Sequence, residues 1–281
     1  MILIGESSSS KTEWCITSRF ENEIIEHCIT DGINPYLQTR KQISHVIRLQ
    51  LPPEFFKIKC STIYFYSAGC ANDEKKDIVK ASLESQFRTP SVIESDLVGA
   101  ARALFGNEAG IACILGTGSN SCFYDGEKVV KNVKPLGFIL GDEGSSASMG
   151  KFFLSDCLKG IAPKELIEPF YDLYKIDENE ILNFIYNQQS PQKLLHTFSY
   201  FLSEHLEHEY IYNLVKNSMK SFFERNVLQY DAADYPIRFV GAVAVMYSSI
   251  LRDVAAEYGL KVDQIVGKSM KGLMEYHKNV M

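Results

Sequence analysis

One arrangement occurs twice in this chain, and it constrains the fold more than any other feature. Ile111-Ala112-Cys113-Ile114-Leu115 is an unbroken apolar run, Gly116-Thr117-Gly118-Ser119-Asn120-Ser121 is a turn of small residues, and Cys122-Phe123-Tyr124 returns to β-prone residues. Asp125-Gly126 then marks a second turn before Lys128-Val129-Val130. A short apolar run bounded by turn residues reads as a buried strand, and Asp-Gly between β-prone runs as a hairpin. The N-terminus repeats the design: Ile2-Leu3-Ile4-Gly5, the polar turn Glu6-Ser7-Ser8-Ser9-Ser10-Lys11-Thr12, the run Glu13-Trp14-Cys15-Ile16-Thr17, a turn over 19–23, and Ile24-Ile25-Glu26-His27-Cys28. Two strand–turn–strand–turn–strand units predict an internal duplication. A turn of small residues leaves backbone N–H groups unshielded, and such a nest holds an anion. The six residues 116–121 alone fit an ordinary tight turn equally well. Their repetition is what points to two turns gripping a polyphosphate.

Two motifs imitate other nucleotide folds. Gly5 to Thr12 reads Gly-x-x-x-x-Ser-Lys-Thr, close to a P-loop, but a P-loop opens a helix and a β-prone run follows here. Gly116-x-Gly118 imitates a dinucleotide fingerprint, yet a hairpin follows it instead of a helix.

Composition narrows the class. With 281 residues, 46% apolar and 23% charged, the chain can build one large or two medium globular domains. A formal charge of −6 without a basic block gives nucleic acid no footprint. Seven cysteines without a Cys-x-x-Cys pair fit a reducing cytosol better than a disulfide framework or a zinc site. The N-terminus lacks the features of a signal peptide, and no apolar run approaches the roughly 20 residues of a membrane span. A cytoplasmic protein is expected.

Further along, a helix is predicted over 37–49, a buried strand over 62–66 ending at Ser67, and a helix over 72–87. A short strand over 91–94 leads through Ser95-Asp96 into a helix over 97–105, whose small residues predict close packing on a neighbour. This alternation predicts an α/β fold with a mixed sheet. Pro135 to Ser145 carries Asp142 and Glu143 in a glycine-bracketed loop. Residues 146–226 read as helix with breaks near 160–163, 177 and 190–191. A strand over 237–240, a helix opening at Gly241-Ala242, a strand over 262–266 and a helix over 270–277 complete the chain. His205 and His208, three apart in the helical stretch, form a candidate metal pair without a third ligand; the neighbouring Glu204, Glu207 and Glu209 favour a solvated face. Trp14 and the aromatic-rich segment 198–223 read as packing.

The order of motifs resembles the actin-like ATPase superfamily of sugar kinases, actin and heat-shock chaperones. Within it the chain is similar to the N-acetylglucosamine kinase family and to ATPases of the benzoyl-CoA reductase activator (BadF) type. The resemblance covers nearly the whole chain and rests on Ile114-Leu-Gly-Thr-Gly-Ser-Asn120, Leu140-Gly-Asp-Glu-Gly-Ser145, Glu94-Ser-Asp-Leu-Val-Gly-Ala-Ala101 and Phe239-Val-Gly-Ala-Val243. It implies two ribonuclease-H-like domains with a nucleotide cleft between them. Residues 1–95, joined by a C-terminal helix at about 267–281, would form one; residues 96–266, with a helical insertion at about 146–226, the other. It further implies an ATP-dependent kinase of an amino sugar such as N-acetylglucosamine, with Mg2+ as cofactor, a small sugar as partner, and room for a homodimer. Neither nucleic acid nor membrane has a place in it.

Residue by residue, the resemblance implies that Asp96 is the general base for the sugar hydroxyl. Read from the residues alone, an aspartate where a strand meets a helix is better explained as a helix cap. Ser8, Ser9, Ser10, Lys11, Thr12, Gly116, Thr117, Gly118 and Ser119 would meet the phosphates, and Gly241 and Ala242 the adenosine. Asn34, Ser67, Thr117, Asn120 and Asp142 would contact the sugar, whose desolvated hydroxyls each need a partner. Glu6 would hold magnesium through water. The first loop departs from the family pattern of an aspartate followed by glycines, since it has Glu6 and then four serines. Serine in place of glycine penalises positive φ, and an extra methylene shifts a carboxylate relative to a magnesium site. A weakened kinase is therefore expected, and two alternatives stay open: an ATP-hydrolysing activator of the BadF type, and a non-catalytic sugar or nucleotide sensor.

Overall fold

The duplication is present as two five-stranded sheets in a computed structural model that describes residues 1–8, 10–18, 23–187 and 191–279. In chain order the elements are β1 (Ile2–Ser7), β2 (Lys11–Thr17), β3 (Ile24–Asp31), α1 (Arg40–Gln50), α2 (Glu54–Lys57), β4 (Ile63–Ser67), α3 (Asp73–Phe87), β5 (Ser91–Ser95) and α4 (Asp96–Phe105). There follow β6 (Gly110–Leu115), β7 (Ser119–Tyr124), β8 (Val129–Val133), α5 (Gly137–Leu140), α6 (Ser146–Leu158), α7 (Lys164–Tyr174), α8 (Glu178–Asn187), α9 (Pro191–Glu204) and α10 (Glu209–Arg225). Last come β9 (Ile237–Val240), α11 (Ala242–Met246), α12 (Ser248–Glu257), β10 (Val262–Val266) and α13 (Met270–Asn279). One sheet runs β3-β2-β1-β4-β5 and the other β10-β9-β6-β7-β8. Read from its other end, the second is the same succession of third, second, first, fourth and fifth strand. By contacts the chain divides into two units, Met1–Ala112 with Cys122–Lys131 and Lys268–Met281, and Cys113–Ser121 with Asn132–Gly267.

In the first sheet β1 pairs antiparallel with β2 and parallel with β4, and β4 is parallel to β5. Alternation sends Leu3, Trp14, Ile16 and Phe65 to one face, where Ile43 and Ile47 of α1 and Val79 and Leu83 of α3 cover them. Ile2, Ile4, Cys15 and Tyr66 point to the other, under Met270, Leu273 and Met274 of α13 and Val98 and Ala103 of α4. A strand covered on both faces must be apolar throughout, as Ile2-Leu3-Ile4 is. Each such side chain contributes roughly 1.5–3 kcal/mol by leaving water. The indole of Trp14 is fully buried, and its N–H donates to Thr30 Oγ1 at 2.9 Å.

Several boundaries differ from the sequence reading for local reasons. α1 starts at Arg40 instead of 37 because Thr39 caps it and Gln42 answers from N3, a reciprocal capping box. β3 runs to Asp31 because Lys11 and Thr12 supply partners for Asp31 and Thr30. The glycine-bracketed loop contains the single turn α5, none of whose side chains is buried. No helix among the described residues is long and apolar enough to cross a membrane.

In the second unit, α6 is the helix on which the others pack. Phe153 of α6 meets Phe170 of α7 at 4.8 Å and Phe201 of α9 at 5.5 Å between ring centroids, and Phe198 joins at 5.0 Å from Phe170. The aromatic-rich helices are thus core, mostly in the edge-to-face geometry that rings prefer. Gly150 lets α6 and α9 approach: a Cβ there would stand 1.9 Å from the Leu195 carbonyl oxygen. Gly150→Ala must therefore push the two helices apart. The expected outcome is a destabilisation of about 1–3 kcal/mol, typical of overpacking, seen as a lowered melting midpoint; an unchanged midpoint would contradict this packing.

Candidate active site

The chemistry-bearing residues of the first unit collect where its parallel strands end, the edge at which open α/β sheets bind ligands. Register sets Thr12, Ser7, Ser67 and Ser95 side by side across β2, β1, β4 and β5. Three of these hydroxyls are buried and used internally. Ser7 Oγ lies 2.8 Å from Thr12 Oγ1 and accepts the Ile33 N–H at 2.8 Å. Ser67 Oγ donates to the Ile33 carbonyl at 2.6 Å, and Thr12 Oγ1 to the Asp31 carbonyl at 3.0 Å. Asn34 follows directly; its side-chain oxygen takes the Tyr36 N–H at 3.0 Å.

The serine loop closes on itself. Ser8 N–H donates to the Lys11 carbonyl at 2.9 Å, and Ser8 Oγ receives the N–H groups of Ser10 and Lys11, each at 3.3 Å. Ser10 and Lys11 are exposed; Ser9 lies outside the described residues. The expected positive-φ strain is absent at Ser7 and Ser8, since neither adopts a left-handed conformation. The Ser8 side chain does by hydrogen bonding what glycines do by conformational freedom. The Lys11 strand that follows confirms that no helix opens here, which excludes a P-loop.

Asp96 is not the cap of α4. Ser95 is, accepting the Val98 N–H at 3.3 Å. Asp96 is the first helical residue, and its Oδ1 takes the Leu97 N–H at 2.9 Å. Part of the side chain reaches solvent, but protein atoms crowd the carboxylate, and this desolvation pushes its pKa up to about 6. Glu6 is also held above the usual carboxylate range, first by burial and then by the charges of Asp96 and Glu13, while Ser269 and Lys11 favour the ionised form. Ser269 Oγ is buried without an acceptor at bonding distance. Glu13, opposite Glu6 in the hairpin register, has His27 Nε2 at 2.8 Å and Lys268 Nζ at 3.7 Å. Glu6 thus feels the charges of both Asp96 and Glu13, a crowding that a nearby cation would relieve, although the three do not form a preset metal-holding group. The sequence reading missed Glu13, although pairing across the first hairpin reveals it, and Ser269, which no motif marks.

In the second unit the turn after β6 is oriented by α6. The Gly116 carbonyl accepts the Ser146 N–H at 3.0 Å, and the Thr117 carbonyl accepts the Ala147 N–H at 3.2 Å. Ser146 Oγ also donates to the Gly116 carbonyl at 3.1 Å and meets His196 Nδ1 at 2.6 Å. Both carbonyls are thus committed to the helix, while the N–H groups of Thr117 and Gly118 have no partner among the described residues. Such paired amides are donors for an anion. Asp142 lies against the turn: Oδ1 accepts the Ser119 N–H at 3.3 Å, and a Cβ at Gly118 would stand 3.0 Å from Oδ2. Asp142 has φ of 57°, and burial, together with Glu143, pushes its pKa up to about 6. Asn120 Oδ1 is met by Asn132 Nδ2 at 2.9 Å. Gly241, at φ 129°, passes so close to β6 that a Cβ would stand 2.1 Å from the Leu115 carbonyl oxygen; Ala242 beside it is exposed.

His205 and His208 do not share a helix. They fall in the turn between α9 and α10, where His205 bonds the Phe201 carbonyl at 2.8 Å and His208 caps α10. No group of three or more metal-ligating side chains that could hold an ion exists among the described residues.

The Ser8 closure yields a prediction opposite to the one suggested by loss of glycine. Ser8→Gly should loosen the loop and speed hydrogen exchange at the Lys11 amide by about fivefold, the equivalent of one hydrogen bond of about 1 kcal/mol. Unchanged exchange would mean that the backbone alone holds the loop.

No family model matches this sequence, and no curated protein matches it. Among solved structures, the chain is similar to a Porphyromonas gingivalis protein described as "Putative N-acetylglucosamine Kinase", with a TM-score of 0.95 and 40% identity over 100% of this chain and 99% of that one. A Chromobacterium violaceum protein of the same description aligns at a TM-score of 0.74 and 14% identity, covering 98% of each chain. The ethanolamine utilization protein EutJ from Carboxydothermus hydrogenoformans aligns at 0.56 and 12% identity, covering 98% of this chain and 87% of that one, a likeness of fold alone. The fold is the two-unit, ribonuclease-H-like α/β fold of the actin-like ATPases, and the end-to-end identity of 40% establishes that this chain belongs to the N-acetylglucosamine kinase family.

Proposed function

We propose that this protein is an ATP-dependent sugar kinase acting on an amino sugar such as N-acetylglucosamine. The observation that carries the reading is the division of labour at the start of α4: Ser95 caps the helix, so the Asp96 carboxylate is not spent on the cap, although its Oδ1 is held by the Leu97 N–H. A base works best with a pKa near the operating pH, and a carboxylate at about 6 is ionised at neutrality yet basic enough to take a proton. In the proposed reaction Asp96 accepts the proton of the sugar hydroxyl. The hydroxyl oxygen forms a bond to the γ-phosphorus as the bond to the ADP oxygen breaks. Phosphoryl transfer depends mainly on positioning and charge stabilisation. The Thr117 and Gly118 amides and the exposed Ser10 and Lys11 are suited to phosphate oxygens. Asn34, Asn120 and Asp142 are the polar groups assigned to the sugar; Ser67, fully buried with its hydroxyl on the Ile33 carbonyl, supports the edge from which Asn34 emerges.

Magnesium fits the donors present, because it is commonly held by one or two carboxylates with the rest of its shell from water and phosphates. Glu6 would hold it through water, with the orphaned Ser269 hydroxyl beside it. Bound there, it would supply charge neutralisation on the phosphates. A non-catalytic sensor is the second reading, favoured by the self-closed serine loop.

Turnover with ATP and a panel of sugars separates the two. Asp96→Asn is expected to lower sugar-dependent ADP release by about 10²–10⁴-fold, the usual worth of a general base, with nucleotide affinity little changed. Unchanged turnover would remove Asp96 from the mechanism; sugar and nucleotide binding without turnover in the wild type would favour the sensor. The same rate should fall as pH drops through about 6, because Asp96 and Asp142 then gain protons. A flat profile between pH 5 and 7, roughly one unit either side, would contradict the role of an ionised base.

A further inference from the structure

A second polar site lies in the helical part of the second unit, on the face where α10 passes α6. A groove of about 450 Å³ opens there, a volume in the range of small-molecule sites. Asn213 and Asn217 stand one turn apart on α10, both exposed, and their side-chain amides have no partner among the described residues. Ser218, next to Asn217 on α10, also borders the groove; it is only 8% exposed, and its buried hydroxyl has no hydrogen-bond partner. A buried hydroxyl left unpaired costs free energy, so it marks a place where a ligand atom or water completes the shell. Across from α10, Asp156 of α6 receives the Tyr210 hydroxyl at 2.5 Å through Oδ2. Phe152, 54% exposed, contributes an aromatic ring to the wall.

We infer that this groove binds a neutral saccharide of one or two rings, at a site separate from the residues assigned to the kinase reaction. The chemistry of the wall selects the class. One lining side chain is a carboxylate, and Lys151 Nζ, 5.4 Å over the Phe152 ring, already donates to the Phe138 carbonyl at 2.7 Å, so the wall favours neither sign of charge and suits a neutral ligand. A single carboxylate already engaged by Tyr210 is too few oxygens for a cation. Two primary amides, each donor and acceptor, and an unpaired hydroxyl match vicinal hydroxyls, which also donate and accept. The half-exposed Phe152 ring has Lys151 Nζ over one face and can offer the other to the C–H side of a sugar. The inference does not depend on turnover, so it stands or falls apart from the kinase reading.

Saturation-transfer NMR on the full chain tests it, with N-acetylglucosamine, glucose, maltose and diacetylchitobiose as probes and triglycine as a peptide control. Phe152→Ala and Asn217→Ala change exposed side chains and are not expected to disturb folding, which their melting midpoints check. At least one saccharide should give a signal that Asp96→Asn leaves intact and that one of the groove variants lowers by about fivefold or more, the worth of one such contact. No saccharide signal, a signal indifferent to both groove variants, or a signal from triglycine alone would overturn the inference.

Discussion

The first unit depends on a buried knot of hydroxyls around Ile33. Ser7 ends β1, Ser67 ends β4, and both reach the backbone of Ile33, one by accepting its N–H and the other by donating to its carbonyl. Buried polar backbone must be paired, and here side chains do the pairing where the ladder stops. The consequence is positional. The chain entering Asn34 is fixed to the ends of two parallel strands, and the strand that ends at Ser95 stands in register beside them. Replacing Ser7 by a residue without a hydroxyl would leave the Ile33 N–H unpaired in the core, and replacing Ser67 would leave the Ile33 carbonyl with Ser7 Oγ alone, at 3.0 Å; either change loosens the edge from which Asn34 and Asp96 emerge.

The second unit solves the same problem with a helix. Two carbonyls of the turn after β6 are bound by the first amides of α6, which themselves need acceptors because a helix start has none of its own. The remaining amides of Thr117 and Gly118 face away from this contact by necessity of backbone geometry. His196 extends the arrangement. Ser146 has one hydroxyl hydrogen for two partners, the Gly116 carbonyl at 3.1 Å and His196 Nδ1 at 2.6 Å, so which one receives it is set by the His196 tautomer. The close approach at Gly150 makes this bond between α6 and α9 available. The same α6 then carries Phe152 and Asp156 to the groove, so the turn and the groove share one rigid element.

Much of this was legible in the sequence because it lies in local patterns. Short unbroken apolar runs, Asp-Gly and the small-residue turns marked the strands of both sheets and their duplication. The aromatic helices were readable as packing. What stayed hidden depends on register and on which neighbouring residue takes a hydrogen bond. Ser95 and Asp96 are adjacent, and either could cap a helix by composition; only the backbone decides that Ser95 does. The histidines at 205 and 208 fit a helical face until the chain turns between them. Ser146 and His196 are fifty positions apart, and no motif links them.

The serine loop is held closed without the glycines of the family pattern. Glycines serve such a loop by allowing left-handed backbone and close approach. With Ser7 in the sheet and Ser8 outside the left-handed region, that freedom is not required at these positions. Ser7 is spent on the Ile33 knot, and Ser8 gathers two amides of its own turn, leaving Ser10 and Lys11 at the surface. The substitution of glutamate at position 6 follows the same logic on the opposite face of the strand. Its neighbours Asp96 and Glu13 disfavour its charge, as does burial, while Lys11 favours it. Under the proposed function a divalent cation would reverse that balance, because positive charge lowers the cost of ionising every carboxylate in the group. The longer side chain sets the reach of Glu6 beside two other carboxylates, and the loop that follows it is held by hydrogen bonds instead of glycines.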